Sequence, residues 1–332
     1  MRAAWYERNG AARDVLQVGE QPMPVPAPGE VRVRMVCSGV NPSDVKSRGG
    51  RRPVREGIVI PHSDGAGVID EVGAGVDRGR VGQRVWLWNA QYQRSHGTAA
   101  EYVALPSEQA VPLHDTVSFE AGACLGIPAL TAYRAVDLAE LGPGQSVLVI
   151  GGASAVGFYA LQIARARGAR VIATAGSERK QALLEAAGFS DIILYKKESV
   201  AERIRDLTMQ KGVDAIIDMD FSTSCGLVDD GVLATHGRFV CYGSNLYERV
   251  PLYFPAWLAR SITLRFFLIY ELTAQQRTDT VEGLQELLRN DRLVHQIGPR
   301  HPLRDIAAAH EAVEAGSQGN VIVDCGAPHA PA

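Results

Sequence analysis

The sequence predicts an α/β protein of two domains, one of them built on a doubly wound parallel sheet, and three observations carry that reading. Its 332 residues are more than a single ordinary core organises. The first third alternates apolar and charged residues, as in Val31-Arg-Val-Arg-Met-Val36, the two-residue period of a half-buried strand. Beyond it the texture changes to short Val/Ile-rich runs separated by amphipathic stretches, the pattern of a parallel sheet covered on both faces.

The β-rich part places strands at 31–36, 67–73 and 81–86, divided by turns containing Gly and Asp. The α/β part places strands at 146–150, 170–175, 191–195, 215–219 and 238–243, with a sixth at 262–269. Helices are expected at 157–167 and at 178–187, the latter behind an N-cap at Ser177. After about residue 270 a long helix (273–290) and a last strand (320–324) leave that rhythm. The segment 141–164 contains no charge, but Gly142, Pro143, Gly151, Gly152 and Gly157 break it into turn, strand, loop and helix. It is not a membrane span.

Composition narrows the partners. A net charge of −3 without a basic run argues against nucleic acid and against a membrane surface. Five scattered cysteines with no C-x-x-C pair predict neither a disulfide framework nor a structural zinc lobe, and with no signal-like segment they point to the cytoplasm. Only five lysines occur, and Lys180, Lys196 and Lys197 are three of them.

The chemistry begins at Gly151-Gly-Ala-Ser-Ala-Val-Gly157, between a strand and a helix, the context of a dinucleotide fingerprint. Read as G-x-G-x-x-G, its positions are Gly152, Ser154 and Gly157, with Ala155 and Val156 opening the helix. The middle glycine is a serine, whose hydroxyl can donate to a phosphate. An NAD site usually carries Asp or Glu at the end of the second strand. Here 171–175 ends without a carboxylate and continues Gly176-Ser-Glu-Arg-Lys180. A 2′-phosphate, with roughly two negative charges, wants the donors and cations that Ser177, Arg179, Lys180 and Tyr195 supply. Cations in the first turn of a helix oppose its dipole, so Arg179 and Lys180 need another reason to be there. The expected cofactor is NADPH.

Several motifs together carry a family likeness: Gly39-Val-Asn-Pro-Ser-Asp44, His62-Ser-Asp-Gly-Ala-Gly-Val-Ile69, Gly82-Gln-Arg-Val-Trp86, Leu125-Gly-Ile-Pro-Ala-Leu-Thr-Ala-Tyr133 and the glycine loop. The chain resembles the medium-chain dehydrogenase/reductase superfamily, and within it the zinc-free quinone oxidoreductases that include zeta-crystallin. The resemblance implies a GroES-like catalytic domain (1–124 and 270–332) with an inserted Rossmann domain (125–269). It also implies a homodimer joined along the strand at 262–269, and a family's 2′-phosphate pair in Lys180 and Tyr195. The nicotinamide half falls to Asn41, Thr131, Tyr242, Gly243, Ser244, Phe266, Phe267, Leu268 and Asn320. The zinc-ligand positions of the metal-dependent relatives correspond to Asn41, Ser63 and Ile127, so no metal is expected.

Without a Lewis acid for an alkoxide, the preferred acceptor is one that delocalises hydride by itself, a quinone or enone. Asn41 would orient it or meet its developing charge, with Asp44, His62 and Tyr92 as candidate proton donors beside water. Lys46 and Arg52 stand where several quinone reductases have tyrosines, and Trp88 and Tyr92 offer flat surfaces; these four form the expected substrate pocket. Two alternatives stay open. One is a 2-enoyl thioester or alkenal reductase using Arg51, Arg52 and Arg55 against an acyl carrier, and the other is an NADPH-binding sensor or structural protein of low turnover.

Overall fold

A computed structural model describes residues 1–54, 57–246 and 248–326. The chain divides into two compact units: Met1–Ile127 with the segment from His295 onward, and Pro128–Val294.

In the first unit the 11-residue strand Glu30–Val40 is the spine of the sheet. Asp64–Val72 runs antiparallel along one edge of it. The opposite edge is shared by Tyr102–Pro106, beside residues 30–34, and by Asn320–Asp324, beside residues 37–40. The expected alternation is present: Val31, Val33 and Met35 point into a core with Ile69, Val85, Leu87 and Leu105. Between them Arg32 turns outward and binds Asp70 at 2.9 Å. A C-terminal strand thus completes an N-terminal sheet, as expected for a chain that leaves one domain and returns to it.

The second unit holds six parallel strands in the order Ile192–Leu194, Arg170–Ala175, Ser146–Val149, Val213–Asp218, Leu233–Cys241 and Thr263–Phe266. Chain direction through the sheet reverses between Ser146–Val149 and Val213–Asp218, where open α/β sheets place their ligands. Leu148, Ile172, Ile193, Ile216 and Phe239 form the buried centre, closed on one side by Phe221 and Trp257. The uncharged stretch resolves into the strand Ser146–Val149 and the helix Ala155–Ala166. Among the described residues no helix is long and apolar enough to cross a membrane.

The domain limits differ from the sequence expectation. The helix Ala274–Arg289 stays with the second unit, so the chain returns at residue 295 and not at 270. Packing explains the difference: this helix lies on Leu130–Leu138 so closely that a Cβ added at Gly283 would meet the Tyr133 hydroxyl at 1.9 Å. Overpacking such a seam costs about 1–3 kcal/mol. Gly283→Val should therefore lower the melting temperature measurably by differential scanning calorimetry, and an unchanged Tm would mean that the two helices are not held by this contact.

Candidate functional site

In the second unit a cavity of about 460 Å³ opens at the point where strand order reverses. Its floor is the glycine turn. Gly151 takes a left-handed φ of 71°, and its N–H donates to Thr174 Oγ1 at 2.8 Å, tying the turn to the second strand. Gly157 is excluded from any larger side chain because its Cβ would lie 2.3 Å from the Gly151 carbonyl. Ser154 caps the helix, its Oγ accepting from the Gly157 N–H at 3.1 Å. The serine in the middle-glycine slot therefore serves the helix first, and it also lines the cavity. Gly152 packs on Ala173 and Leu161 behind the turn.

At the far end of this cavity are Gly176, Lys180 and Tyr195. The Tyr195 ring lies flat enough on the backbone that a Cβ at Gly176 would meet its hydroxyl at 2.9 Å. The acid of the same helical turn, Glu178, is engaged by Lys197, and that bond holds its carboxyl below the usual range. Lys180 forms no ion pair among the described residues, so a cation stands in the cavity wall with the acid two residues before it already engaged. Ser177 caps the helix Glu178–Ala186 by accepting from the Lys180 N–H, and neither Ser177 nor Arg179 is among the lining residues.

The other wall was not visible in the sequence. Met219, Asp220, Thr223 and Asn245 line it from the loops after the fourth and fifth strands. Asp220 accepts from Ser222 Oγ (2.6 Å), Thr223 Oγ1 (3.0 Å), the Asn245 N–H (2.8 Å) and Asn245 Nδ2 (2.7 Å). Burial alone would raise its pKa, but these donors outweigh burial and leave it lowered. The carboxylate thus ties the loop 243–245 to the sheet. Tyr242, Gly243, Ser244, Phe266 and Phe267 line a second, apolar cavity of about 370 Å³, whereas Leu268 does not. Thr131 Oγ1 and Ser244 Oγ are buried without a protein hydrogen bond among the described residues, and the Tyr242 phenol, beside Ser154, makes no well-formed one. Buried hydroxyls in this condition are costly unless a ligand supplies the partner. Those three orphans, the glycine turn and the unneutralised lysine fit a phosphorylated dinucleotide.

In the first unit the central residue is Asp64. Its Oδ2 accepts from Asn41 Nδ2 and from the Ile127 N–H, each at 2.8 Å. Its Oδ1 is buried without a hydrogen-bond partner among the described residues, and a Cβ at Gly126 would come within 2.2 Å of it. Asn41 begins the helix Pro42–Lys46, and its own N–H donates to Asp44 Oδ2 at 2.8 Å. Burial pushes the Asp44 carboxyl up to about 7. It raises Asp64 well above its ordinary value too, against the two N–H donors and with Asp44 adding to the effect. The second amide N–H of Asn41 makes no hydrogen bond among the described residues.

The three positions that the resemblance matches to zinc ligands hold an amide bound to a carboxyl (Asn41), a buried hydroxyl (Ser63) and an aliphatic residue whose N–H is taken (Ile127). That donor set does not suit zinc, and no group of three His, Cys, Asp or Glu among the described residues could hold a metal ion. Of the expected substrate residues, Arg52 and Tyr92 meet, the guanidinium 4.8 Å above the ring centroid. Lys46 and Trp88 do not line their cavity. Asn320 starts the returning strand and its Nδ2 donates to the Gln296 carbonyl at 3.4 Å.

Behind Asp64 runs a buried polar row that sequence reasoning missed. Arg48 Nε lies 3.3 Å from His310 Nδ1, His310 Nε2 2.9 Å from His62 Nε2, and His62 Nδ1 2.8 Å from Ser38 Oγ. Ser38 Oγ lies 2.7 Å from Thr98 Oγ1, which in turn lies 2.6 Å from the Asp64 carbonyl. A guanidinium can only donate, and that fixes every link. His310 accepts at Nδ1 and donates from Nε2; His62 accepts at Nε2 and donates from Nδ1; Ser38 donates to Thr98, and Thr98 to the Asp64 carbonyl. Both imidazoles must be neutral. Burial accordingly lowers His62 to about 3 and His310 well below its ordinary value, with His62 and Arg48 reinforcing the latter. His62 holds a left-handed φ of 76°, a strained conformation for a residue with a Cβ.

Fold and cavities together describe a dinucleotide-binding unit set within a β-rich one, the build of medium-chain dehydrogenases and reductases. The alcohol dehydrogenase GroES-like domain family matches residues 27–115 and the zinc-binding dehydrogenase family residues 155–288. Human quinone oxidoreductase is 30% identical over 300 residues, 89% of this chain and 88% of that protein. A solved mycobacterial protein complexed with NADPH is 28% identical, with a TM-score of 0.85 over 98% of this chain and 100% of that one. A structure described as an NAD-dependent alcohol dehydrogenase is 30% identical, with a TM-score of 0.88 and the same coverage. The chain belongs to the quinone oxidoreductase family of the medium-chain dehydrogenases/reductases.

Neutral His62 has a pH signature. A folded pKa near 3 against an ordinary 6.5 means that the unfolded chain binds more protons between those values. Stability from this group is full above 6.5 and is lost as pH falls toward 3. Asp44 and Asp64, raised in the folded protein, act in the opposite direction, so the test is a difference. His62→Gly suits the left-handed backbone and leaves both carboxyls in place. Between pH 7 and pH 5 the wild type should lose stability relative to this variant, on the order of 2 kcal/mol. Urea titrations at both pH values measure it, and a difference independent of pH would contradict the neutral pair.

Proposed function

We propose that the protein is an NADPH-dependent reductase that transfers hydride to quinones or related α,β-unsaturated carbonyls without metal assistance. One observation carries the choice of cofactor: Lys180 and Tyr195 line the cavity at the end of the second strand, where an NAD enzyme places a carboxylate. Lys180 Nζ and the Tyr195 hydroxyl would hold the 2′-phosphate. The first helical turn at Ala155 and Val156, with the Ser154 hydroxyl, would take the pyrophosphate. Thr131, Tyr242 and Ser244 offer their orphaned hydroxyls to the nicotinamide half, with Phe266 and Phe267 as its apolar side.

NADPH supplies the hydride when bound. The chain's own part is placement and electrostatics. Asn41, with one N–H committed to Asp64, offers the other to the acceptor oxygen that gains charge. Asp64 keeps that amide in a single orientation. The product's proton comes from water, because Asp44 is bound to the Asn41 N–H and His62 is locked in the polar row. The basic rim at Arg51 and Arg52 favours enoyl thioesters as a second substrate class; Arg55, which would extend it, lies outside the described residues. Comparison of initial rates with a quinone and with an enoyl thioester separates the two, and tight NADPH binding without turnover on either would support the sensor reading instead.

We also read the chain as a cytoplasmic homodimer. All five cysteines are unpaired thiols, as in a reducing compartment. The edge strand Thr263–Phe266 has one unpaired side, and beside it Phe254, Leu258 and Phe266 are 63%, 63% and 60% exposed. An apolar edge of this kind calls for a covering partner, here a second copy.

Two outcomes are expected. Lys180→Ala should weaken NADPH by about 10- to 100-fold, the loss of one charge-assisted phosphate contact, and leave NADH nearly unchanged; equal losses in fluorescence titrations would remove the 2′-phosphate assignment. Leu258→Glu should shift the sedimentation coefficient from dimer to monomer, and a wild type that already sediments as a monomer would refute the dimer.

A further inference from the structure

The loops after the fourth and fifth strands of the second unit are joined beyond the end of their sheet. Regular pairing of Val213–Asp218 with Leu233–Cys241 stops at the pair Asp218 and Cys241. The Tyr242 N–H then donates to the Asp218 carbonyl and the Phe221 N–H to the Gly243 carbonyl, each at 3.1 Å. Gly243 permits this approach, since a Cβ there would lie 2.7 Å from the Met219 carbonyl. Two residues further on, a side chain takes over from the backbone. Asp220 accepts from the Asn245 N–H through Oδ1 and from Asn245 Nδ2 through Oδ2.

Asp220 is neither an acid open to a ligand nor an ordinary helix cap. A carboxylate has about four lone-pair positions. Here Oδ1 takes Ser222 Oγ and the Asn245 N–H, and Oδ2 takes Thr223 Oγ1 and Asn245 Nδ2. This chain fills all of them, so Asp220 lines the first cavity with its acceptor capacity already used. An Asp ahead of a helix ordinarily accepts from a backbone N–H two or three residues on. Asp220 precedes Phe221–Ser224 and makes no such bond; its carboxylate is committed to the neighbouring loop instead.

That loop has two faces. Asn245 lines the cavity of about 460 Å³, whereas Tyr242, Gly243 and Ser244 line the cavity of about 370 Å³. Residues 242–244 therefore run between a strand end and an anchored Asn245, and they carry two of the hydroxyls assigned above to the nicotinamide half. Fastening such a span in advance removes the entropy loss of ordering it when the ligand arrives.

We propose that Asp220 is a positioning residue for the nicotinamide half of the cofactor: it accepts no hydrogen bond from NADPH, and by fixing Asn245 it holds the Tyr242 and Ser244 hydroxyls where that half binds. The inference rests on the NADPH-dependent reductase reading and adds to it a residue that acts through its neighbour.

The test compares NADPH with adenosine 2′,5′-bisphosphate, which carries the 2′-phosphate but no nicotinamide, in calorimetric titrations of the whole protein. Asp220→Ala should weaken NADPH by roughly 10- to 100-fold. It should leave the bisphosphate within about twofold, because Lys180 and Tyr195 are untouched. At saturating NADPH its kcat with a quinone should fall as well, which a protein that is merely less stable would not show. Asn245→Ala removes one partner of the carboxylate and should give a loss selective for NADPH in the same way; it carries the test if Asp220→Ala does not fold. The double variant should lose no more than Asp220→Ala alone, as two residues acting through one contact do. Equal losses for the two ligands, no loss for NADPH, or additive losses in the double variant overturn the proposal. If the wild type binds NADPH but reduces neither quinone nor enone, the reductase reading fails by itself, and the two titrations still decide on Asp220. A wild type that binds neither ligand refutes both.

Discussion

The first unit's functional residues depend on one buried carboxyl. Asp64 gathers the Asn41 side chain and the Ile127 N–H on a single oxygen, and a glycine at 126 clears the space beside the other. Burial without a cation beside it raises the Asp64 carboxyl well above its ordinary value, against the two N–H donors. Its value is positional. It fixes Asn41, the last residue before a proline-led helix, and it fixes Ile127 at the point where the chain passes into the second unit.

The second unit solves a different problem by backbone means. A strand must become a helix within a few residues and still present N–H groups to an anion. Gly151 makes the turn in a conformation open to glycine, Gly157 lets the helix approach the turn, and Ser154 closes the first helical turn with its hydroxyl. The helix dipole and the lysine at the neighbouring strand end then lie around one cavity. The cation is there because its competitor, Glu178, is held by Lys197. Within the cluster of lysines in an otherwise arginine-rich chain, Lys197 neutralises an acid and Lys180 lines the cavity.

What the sequence disclosed follows distance along the chain. The strand Arg170–Ala175 and the returning strand Asn320–Asp324 match expectation to the residue, because each is a short β-branched run with clear ends. The glycine turn, the Ser177 cap, Lys180 and Tyr195 were legible because they are local patterns with local causes. The Asp220 clamp was not, since its partner Asn245 is 25 residues away and neither residue has a motif around it. The His62–His310 contact spans 248 residues and has no trace in periodicity or spacing. The domain return was placed too early for a similar reason: only the close seat of Gly283 on Tyr133 shows which unit owns the long helix. Arg52 and Tyr92 were expected in one pocket, and they share it; Lys46 and Trp88, expected with them, are not among its lining residues.

A row of histidine, serine and threonine joined end to end has the look of a conduit for protons. In this protein it is an insulator. Conduction would require every link to reverse its polarity in turn, and the Arg48 end has no lone pair with which to accept. Each hydrogen is therefore locked on its atom, and the row transmits orientation instead of charge. It holds the strained His62 turn against the helix that carries His310, and the carbonyl of Asp64 at its end.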